Sequence, residues 1–137
     1  MQNYFANQLA QFIYGLEWSH IPPQVIRKAK HSILDNIGLA MGGSDSKAAQ
    51  AVLSVVRPLN ARRECTVITS DDQLSASFAA LVNGTMTHSN DFTDTILATV
   101  VHCGPVAVPT AIAMAERARM DGRSLLLLVI LGYEIMA

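Results

Sequence analysis

VIRKAKHSILDNIGLAMGG, residues 25–43, decides the fold class of this chain. Val25, Ile26, Ala29, Ile33, Leu34, Ile37 and Met41 recur at three- and four-residue intervals, the spacing that lines one face of an α-helix. Pro22 and Pro23 stand just ahead, where a proline's missing N–H leaves no helical bond unmade. Gly42-Gly43 closes the run, and a left-handed glycine cap is expected there.

The same helical period governs the chain on either side. Phe5, Leu9, Phe12, Ile13 and Leu16 mark a first helix over Asn3–Leu16. Ser44 is placed to cap a third helix over Asp45–Val56, with Asp45 at its positive end and Pro58 terminating it. Cys65–Thr69 is short and β-branched, and reads as an isolated extended piece or an edge strand. Ser75 opens another helix through Phe78, Leu81 and Val82, with Asn83-Gly84 near its end or at a kink. Pro105–Met120 repeats the pattern, and Ala111, Ala115 and Ala118 form a slim face for close packing. After an Asp121-Gly122 turn, Leu125–Met136 is apolar on nearly every side and is expected to be deeply buried. The predicted class is mainly α over residues 1–137, with at most one short extended segment near 65–69. Because the last helix runs to Ala137 without a closing charge or polar tail, the chain is expected to be shorter than the domain it belongs to.

Composition narrows the function. Half of the residues are hydrophobic and 15% are charged, against about 25% charged in an average soluble domain, so much surface is buried or awaits a cover. A net charge of −1 with dispersed lysines and arginines argues against a nucleic-acid partner. Cys65 and Cys103, with no CxxC spacing, fit neither a structural zinc site nor a disulfide framework nor a cluster-ligand set. Free thiols, the absence of a signal-peptide pattern and an apolar run of only Leu125–Leu131 point to the cytoplasm and away from a membrane.

The polar chemistry is concentrated in NGTMTHSNDFTDTILATVVH, residues 83–102. If the helix from Ser75 continued, His88 and Asp91 would share a face, as would Asp91 and Thr95. Ala98–Val101 has the composition of an extended run leading to His102. A histidine beside a carboxylate has its tautomer and basicity set by it, and can move protons in catalysis. Equally, Asp91 and Asp94 are able to cap a helical turn, Thr95 to bond locally, and His88 to be a satisfied histidine near a helix end. His and Asp at these spacings would also suit a cation, although they match no strong motif such as HExxH. Cys103 adjoins His102, but sequence neighbours point apart and make a poor nucleophilic dyad. His20 and His31 read as structural.

These residues resemble a known family. Ala80-Leu81-Val82-Asn83-Gly84 followed by His88-Ser89-Asn90-Asp91-Phe92-Thr93-Asp94-Thr95 is similar to the signature of the MmgE/PrpD family. The similarity extends through His102, Pro105–Pro109, Ala113–Glu116, Gly122 and Leu131–Ile135, and backwards to the Ala29–Gly43 helix. The family includes 2-methylcitrate dehydratase, cis-aconitate decarboxylase and iminodisuccinate epimerase. The resemblance implies a large all-α domain topped by a smaller α/β lid, assembled as a homodimer and requiring no metal or other cofactor. It implies small di- or tricarboxylic substrates, and proton removal beside a carboxylate with loss of water or carbon dioxide, or with reprotonation. Carried over by position, Asp91, Thr95 and His102 would be catalytic and substrate-binding: Asp91 orienting a hydroxyl or side chain, Thr95 bonding a carboxylate, His102 acting as acid/base or carboxylate ligand. Asn83, His88 and Asp94 would support them, Asn83 and Asp94 by holding the loop.

Two positions depart from the family pattern. Thr93 stands where an acidic residue is common, and Cys103-Gly104 where proline follows the histidine. Glycine there is expected to loosen the backbone that aims His102. The implied function is the N-terminal part of a 2-methylcitrate dehydratase-like lyase, needing a C-terminal segment for its lid. The alternatives are a catalytically inactive remnant or a helical interaction module, motivated by the apolar composition.

Overall fold

A computed structural model describes residues 4–137. Six α-helices dominate: α1 (Phe5–Gly15), α2 (Pro23–Gly43), α3 (Lys47–Leu59), α4 (Ala76–His88), α5 (Gly104–Ala118) and α6 (Gly122–Met136). A 3₁₀ turn, Trp18–His20, links the first two. The chain is mainly α, as its periodicity predicts.

The extended segment expected near 65–69 is confined to β1 (Cys65–Thr66), and it is not isolated. It pairs antiparallel with β2 (Gln73–Leu74) in the register Cys65↔Leu74 and Thr66↔Gln73. Thr69, with φ 66°, makes the reversal between them.

Several boundaries move for identifiable reasons. Ser46, not Ser44, caps α3, its Oγ accepting from the Ala49 N–H at 3.1 Å. Asp45 therefore precedes the helix, and Pro58 is carried within its last turn. No glycine among the described residues adopts positive φ, so the left-handed cap expected at Gly42-Gly43 is absent. Asn3 lies outside the described residues, and α1, although amphipathic, buries none of its side chains.

Close helix crossings explain what the glycines do instead. A Cβ on Gly43 would collide with the Met86 carbonyl, which lets α2 approach α4. On Gly84 it would come within 2.7 Å of the Pro105 carbonyl. That carbonyl lacks its usual helical partner because Pro109, four residues on, has no N–H to give. On Gly132 a Cβ would meet that of Ala107 at 2.8 Å, at the crossing of α5 and α6.

Two apolar clusters result. One joins Leu53 and Val56 of α3, Cys65 and Leu74 of the hairpin, and Val82 and Met86 of α4. The other joins Ile21, Ala29, Val108, Ala111, Val129 and Ile130 across α2, α5 and α6. Contrary to expectation, α6 is buried only along Leu126, Val129 and Ile130, with Ile135 exposed. Asp121 caps it by accepting from the Ser124 N–H at 2.9 Å.

Candidate active site

The polar stretch does not continue α4. That helix ends at His88, and the Asp91 backbone turns left-handed (φ 54°) as its N–H bonds the His88 carbonyl at 3.3 Å. Asp91 and Thr95 therefore lie on a loop rather than on a helical face shared with His88. Ala98–Val101 is likewise not a strand but a turn closed by an Ile96↔Val101 bridge. Val100 sits in it with φ 55°, a conformation that costs a β-branched residue about 1–3 kcal/mol.

What the loop brings together is a histidine pair and two threonines. The Thr93 hydroxyl lies 2.8 Å from His102 Nδ1, and the Thr95 hydroxyl 3.2 Å from the same nitrogen. Thr93 also faces His88 Nδ1 at 3.5 Å, and the two imidazole rings stand 5.4 Å apart at 52°. Thr93 is buried, Thr95 and His88 are exposed, and His102 is half-buried. Asp91 is exposed and makes no side-chain hydrogen bond among the described residues.

A buried polar anchor holds the loop down. The Tyr133 hydroxyl of α6 donates to Asp94 Oδ2 at 2.6 Å. Burial, and next the bond to the Asp94 carboxylate, push the Tyr133 phenol well above its ordinary value. Asp94 Oδ1 and Asn36 Oδ1 are both buried without a partner in the described structure, while Asn36 Nδ2 donates to the Ser32 carbonyl at 2.8 Å. Both side chains pack on Gly104, where a Cβ would collide with Asp94 and reach Asn36 Nδ2 at 2.7 Å. Gly104 is thus a close-packed first residue of α5, not the loose position expected, and it braces the backbone two residues from His102.

Asn83 serves another part of the fold. It was expected to hold the loop, but its Oδ1 accepts from the Ile68 N–H and its Nδ2 donates to the Thr66 carbonyl, both at 2.9 Å. The side chain pins the hairpin to α4. Cys103 is fully buried, and burial followed by the nearby Asp94 charge raises its thiol pKa. Such a thiol is a poor nucleophile. Among the described residues no three His, Cys, Asp or Glu side chains are grouped to hold a metal ion. None of their helices is long and apolar enough to cross a membrane.

Beside His88 a groove of about 540 Å³ runs between α4 and α5, lined by Ala80, Leu81, Gly84, Thr85 and Val106 among others. Of the histidine pair it is lined by His88 and not by His102. Phe92, Leu97 and Val100 form an exposed apolar rim on the loop. Sequence reasoning gave Thr93, Tyr133 and Asn36 no role in the site, and it read Gly104 with the opposite effect. Thr93 was visible only as a departure from the family pattern and Tyr133 only as part of a matched run.

The chain matches the MmgE/PrpD N-terminal domain over residues 7–137. It is 30% identical over 130 residues to the cis-aconitate decarboxylase of Mus musculus, covering 92% of this chain and 27% of that protein. The cis-aconitate decarboxylase of Homo sapiens is also 30% identical over 130 residues, with the same coverage. The cis-aconitate decarboxylase-like protein oryM of Aspergillus oryzae is 25% identical over 134 residues, covering 93% of this chain and 28% of its own length. The chain thus spans about a quarter of the length of these curated relatives. With nearly all of its residues matched, the chain belongs to the MmgE/PrpD family, in the region of the N-terminal domain.

Proposed function

We propose that this chain contributes the helical part of the active site of a lyase acting on small di- and tricarboxylic acids. The observation that carries this reading is His102, its Nδ1 held between the Thr93 and Thr95 hydroxyls at 2.8 and 3.2 Å. An imidazole fixed in this way is oriented to exchange a proton with a bound molecule. Taking a proton from a carbon beside a carboxylate leaves an electron pair that forms a double bond as hydroxide leaves, protonated to water. Loss of carbon dioxide uses the same acid/base group to deliver a proton to carbon. In this scheme Thr95 donates to a substrate carboxylate and Asp91 orients a substrate hydroxyl from its exposed turn.

The finer reading is dehydration of 2-methylcitrate, and the relatives named as cis-aconitate decarboxylases make cis-aconitate the second acid to test. A polyanion needs cationic donors to offset its desolvation. The arginines in salt bridges, Arg57, Arg62 and Arg117, pair with Asp72 and Glu64 on the hairpin side. The exposed rim of Phe92, Leu97 and Val100 offers a surface for a covering segment. The proposal therefore includes a complementing C-terminal segment, within a cytoplasmic homodimer. The test is to incubate the chain with 2-methylcitrate, cis-aconitate and related acids, alone and with a family C-terminal segment in trans, following products by NMR. Turnover that disappears in His102→Gln is the expected result. Absence of turnover across the panel in both arrangements would overturn the reading.

A second reading, a helical interaction module, draws on α1, where Phe5 is 78% and Tyr14 95% exposed. It predicts complex formation independent of activity, and size-exclusion chromatography that returns only a monomer, both alone and mixed with a family C-terminal segment, would sink it.

A further inference from the structure

We infer that Thr93 and Thr95 hold His102 with its proton on Nδ1, so that Nε2 is the nitrogen that takes up and releases a proton. The role of Nε2 rests on the lyase reading above, whereas the tautomer follows from hydrogen-bond accounting alone. Two hydroxyl oxygens face one ring nitrogen, Thr93 at 2.8 Å and Thr95 at 3.2 Å. A neutral Nδ1 without its proton has a single lone pair and accepts well from only one hydroxyl. The other oxygen would then turn a lone pair toward the nitrogen's own, and two acceptors would face each other at hydrogen-bonding distance.

With the proton on Nδ1 every group is matched. Nδ1–H donates chiefly to Thr93, the nearer oxygen, with Thr95 as the minor acceptor. The Thr95 hydroxyl hydrogen points to the Thr93 carbonyl at 3.5 Å. The Thr93 hydroxyl hydrogen is released toward His88 Nδ1, also at 3.5 Å, which makes His88 the acceptor at the end of the chain. Both of these outer contacts are long and weak, so the assignment stands on the two shorter ones. Burial of Thr93 keeps water from replacing it as the Nδ1 partner. Thr93 is in this sense a positioning residue: it acts on the chemistry through His102. The same arrangement holds when the ring is charged, because Nδ1–H is retained and the second proton sits on Nε2.

Long-range ¹H–¹⁵N NMR on ring-labelled protein, above the histidine titration range, reads the tautomer directly, with His102→Gln supplying the assignment. His102 is expected to show a protonated-type Nδ1 and an unprotonated-type Nε2. Thr93→Val removes the near acceptor and frees Thr95 to donate, shifting the population toward the Nε2–H form by about three- to tenfold, the worth of one hydrogen bond. Thr93→Ser restores the wild-type ratio. A wild-type His102 that is mainly Nε2–H overturns the inference, and so does a ratio unmoved by Thr93→Val. Should Thr93→Val fail to fold, the wild-type spectrum still decides. Loss of the lyase reading through absent turnover would leave the tautomer result standing, so the two failures are separable.

Discussion

Replacing Gly104 with alanine should destabilise the protein sharply although it adds one methyl group. The new Cβ would collide with Asp94 Oδ1 and lie 2.7 and 2.8 Å from the two polar atoms of the Asn36 amide. Neither neighbour is free to swing away. Asp94 is tied to the Tyr133 hydroxyl at 2.6 Å, and Asn36, 1% exposed, is tied to the Ser32 carbonyl at 2.8 Å. Overpacking costs about 1–3 kcal/mol, and losing a hydrogen bond to a charged group about 1.5–3 kcal/mol. Against this, alanine gains at most about 1 kcal/mol over glycine in helix propensity. The net expectation is a loss of about 2–4 kcal/mol, read from urea denaturation followed by circular dichroism. Gly38→Ala is the control, because a Cβ there meets nothing within 4 Å; it should stabilise by about 0.5–1 kcal/mol. Combining Gly104→Ala with Asp94→Ala should cost less than the two separately, since the second change removes the colliding atom. A Gly104→Ala protein within about 0.5 kcal/mol of wild type would refute the claim that this packing braces the site.

Tyr133→Phe should cost about 1.5–3 kcal/mol by urea denaturation, because the Asp94 carboxylate loses the hydroxyl that donates to it while its other oxygen stays buried. In the wild type the Tyr133 phenol, raised by burial and by Asp94, should ionise above the ordinary tyrosine value in an ultraviolet titration. Because the unfolded chain would ionise first, the stability it contributes is present below that ordinary value and lost as pH rises beyond it. Asn83→Ala strips the Ile68 N–H and Thr66 carbonyl of their partner and should cost about 1–3 kcal/mol, with hydrogen exchange rising first at Ile68. At the acid end, Arg57 and then Ser70 hold the Asp72 carboxyl below its usual value. That contribution is present above about pH 5 and lost as pH falls through the lowered value, so Asp72→Asn should flatten the acid limb of a stability–pH curve.

How much of this was legible in advance can be followed residue by residue. The α2 stripe from Val25 to Met41, the proline start at Pro23 and the helical pattern around α5 could be read directly, because helix periodicity is a local property. The hairpin was half legible. Cys65-Thr66 has strand composition, but Gln73-Leu74 does not advertise itself and becomes a strand because the β1 backbone and Asn60 offer partners, Asn60 Nδ2 donating to the Gln73 carbonyl at 3.2 Å. The sequence pointed to Ser44 as the cap of α3, and the path of the chain past Gly43 put Ser46 there instead.

The sequence by itself determined the class, the family and the stretch in which the polar chemistry lies, since each depends on the order and type of neighbouring residues. Tertiary structure decided which side chains meet there. An ideal helix would have put His88, Asp91 and Thr95 on one face, and the left-handed turn at Asp91 cancels that geometry. The chain then folds back to set Thr93, nine residues before His102, against its ring. It also places Tyr133, 39 residues beyond Asp94, beneath the loop. Contacts over such separations are fixed by how α4, α5 and α6 cross, and those crossings depend on the missing side chains of Gly43, Gly84 and Gly132 as much as on any residue in the loop.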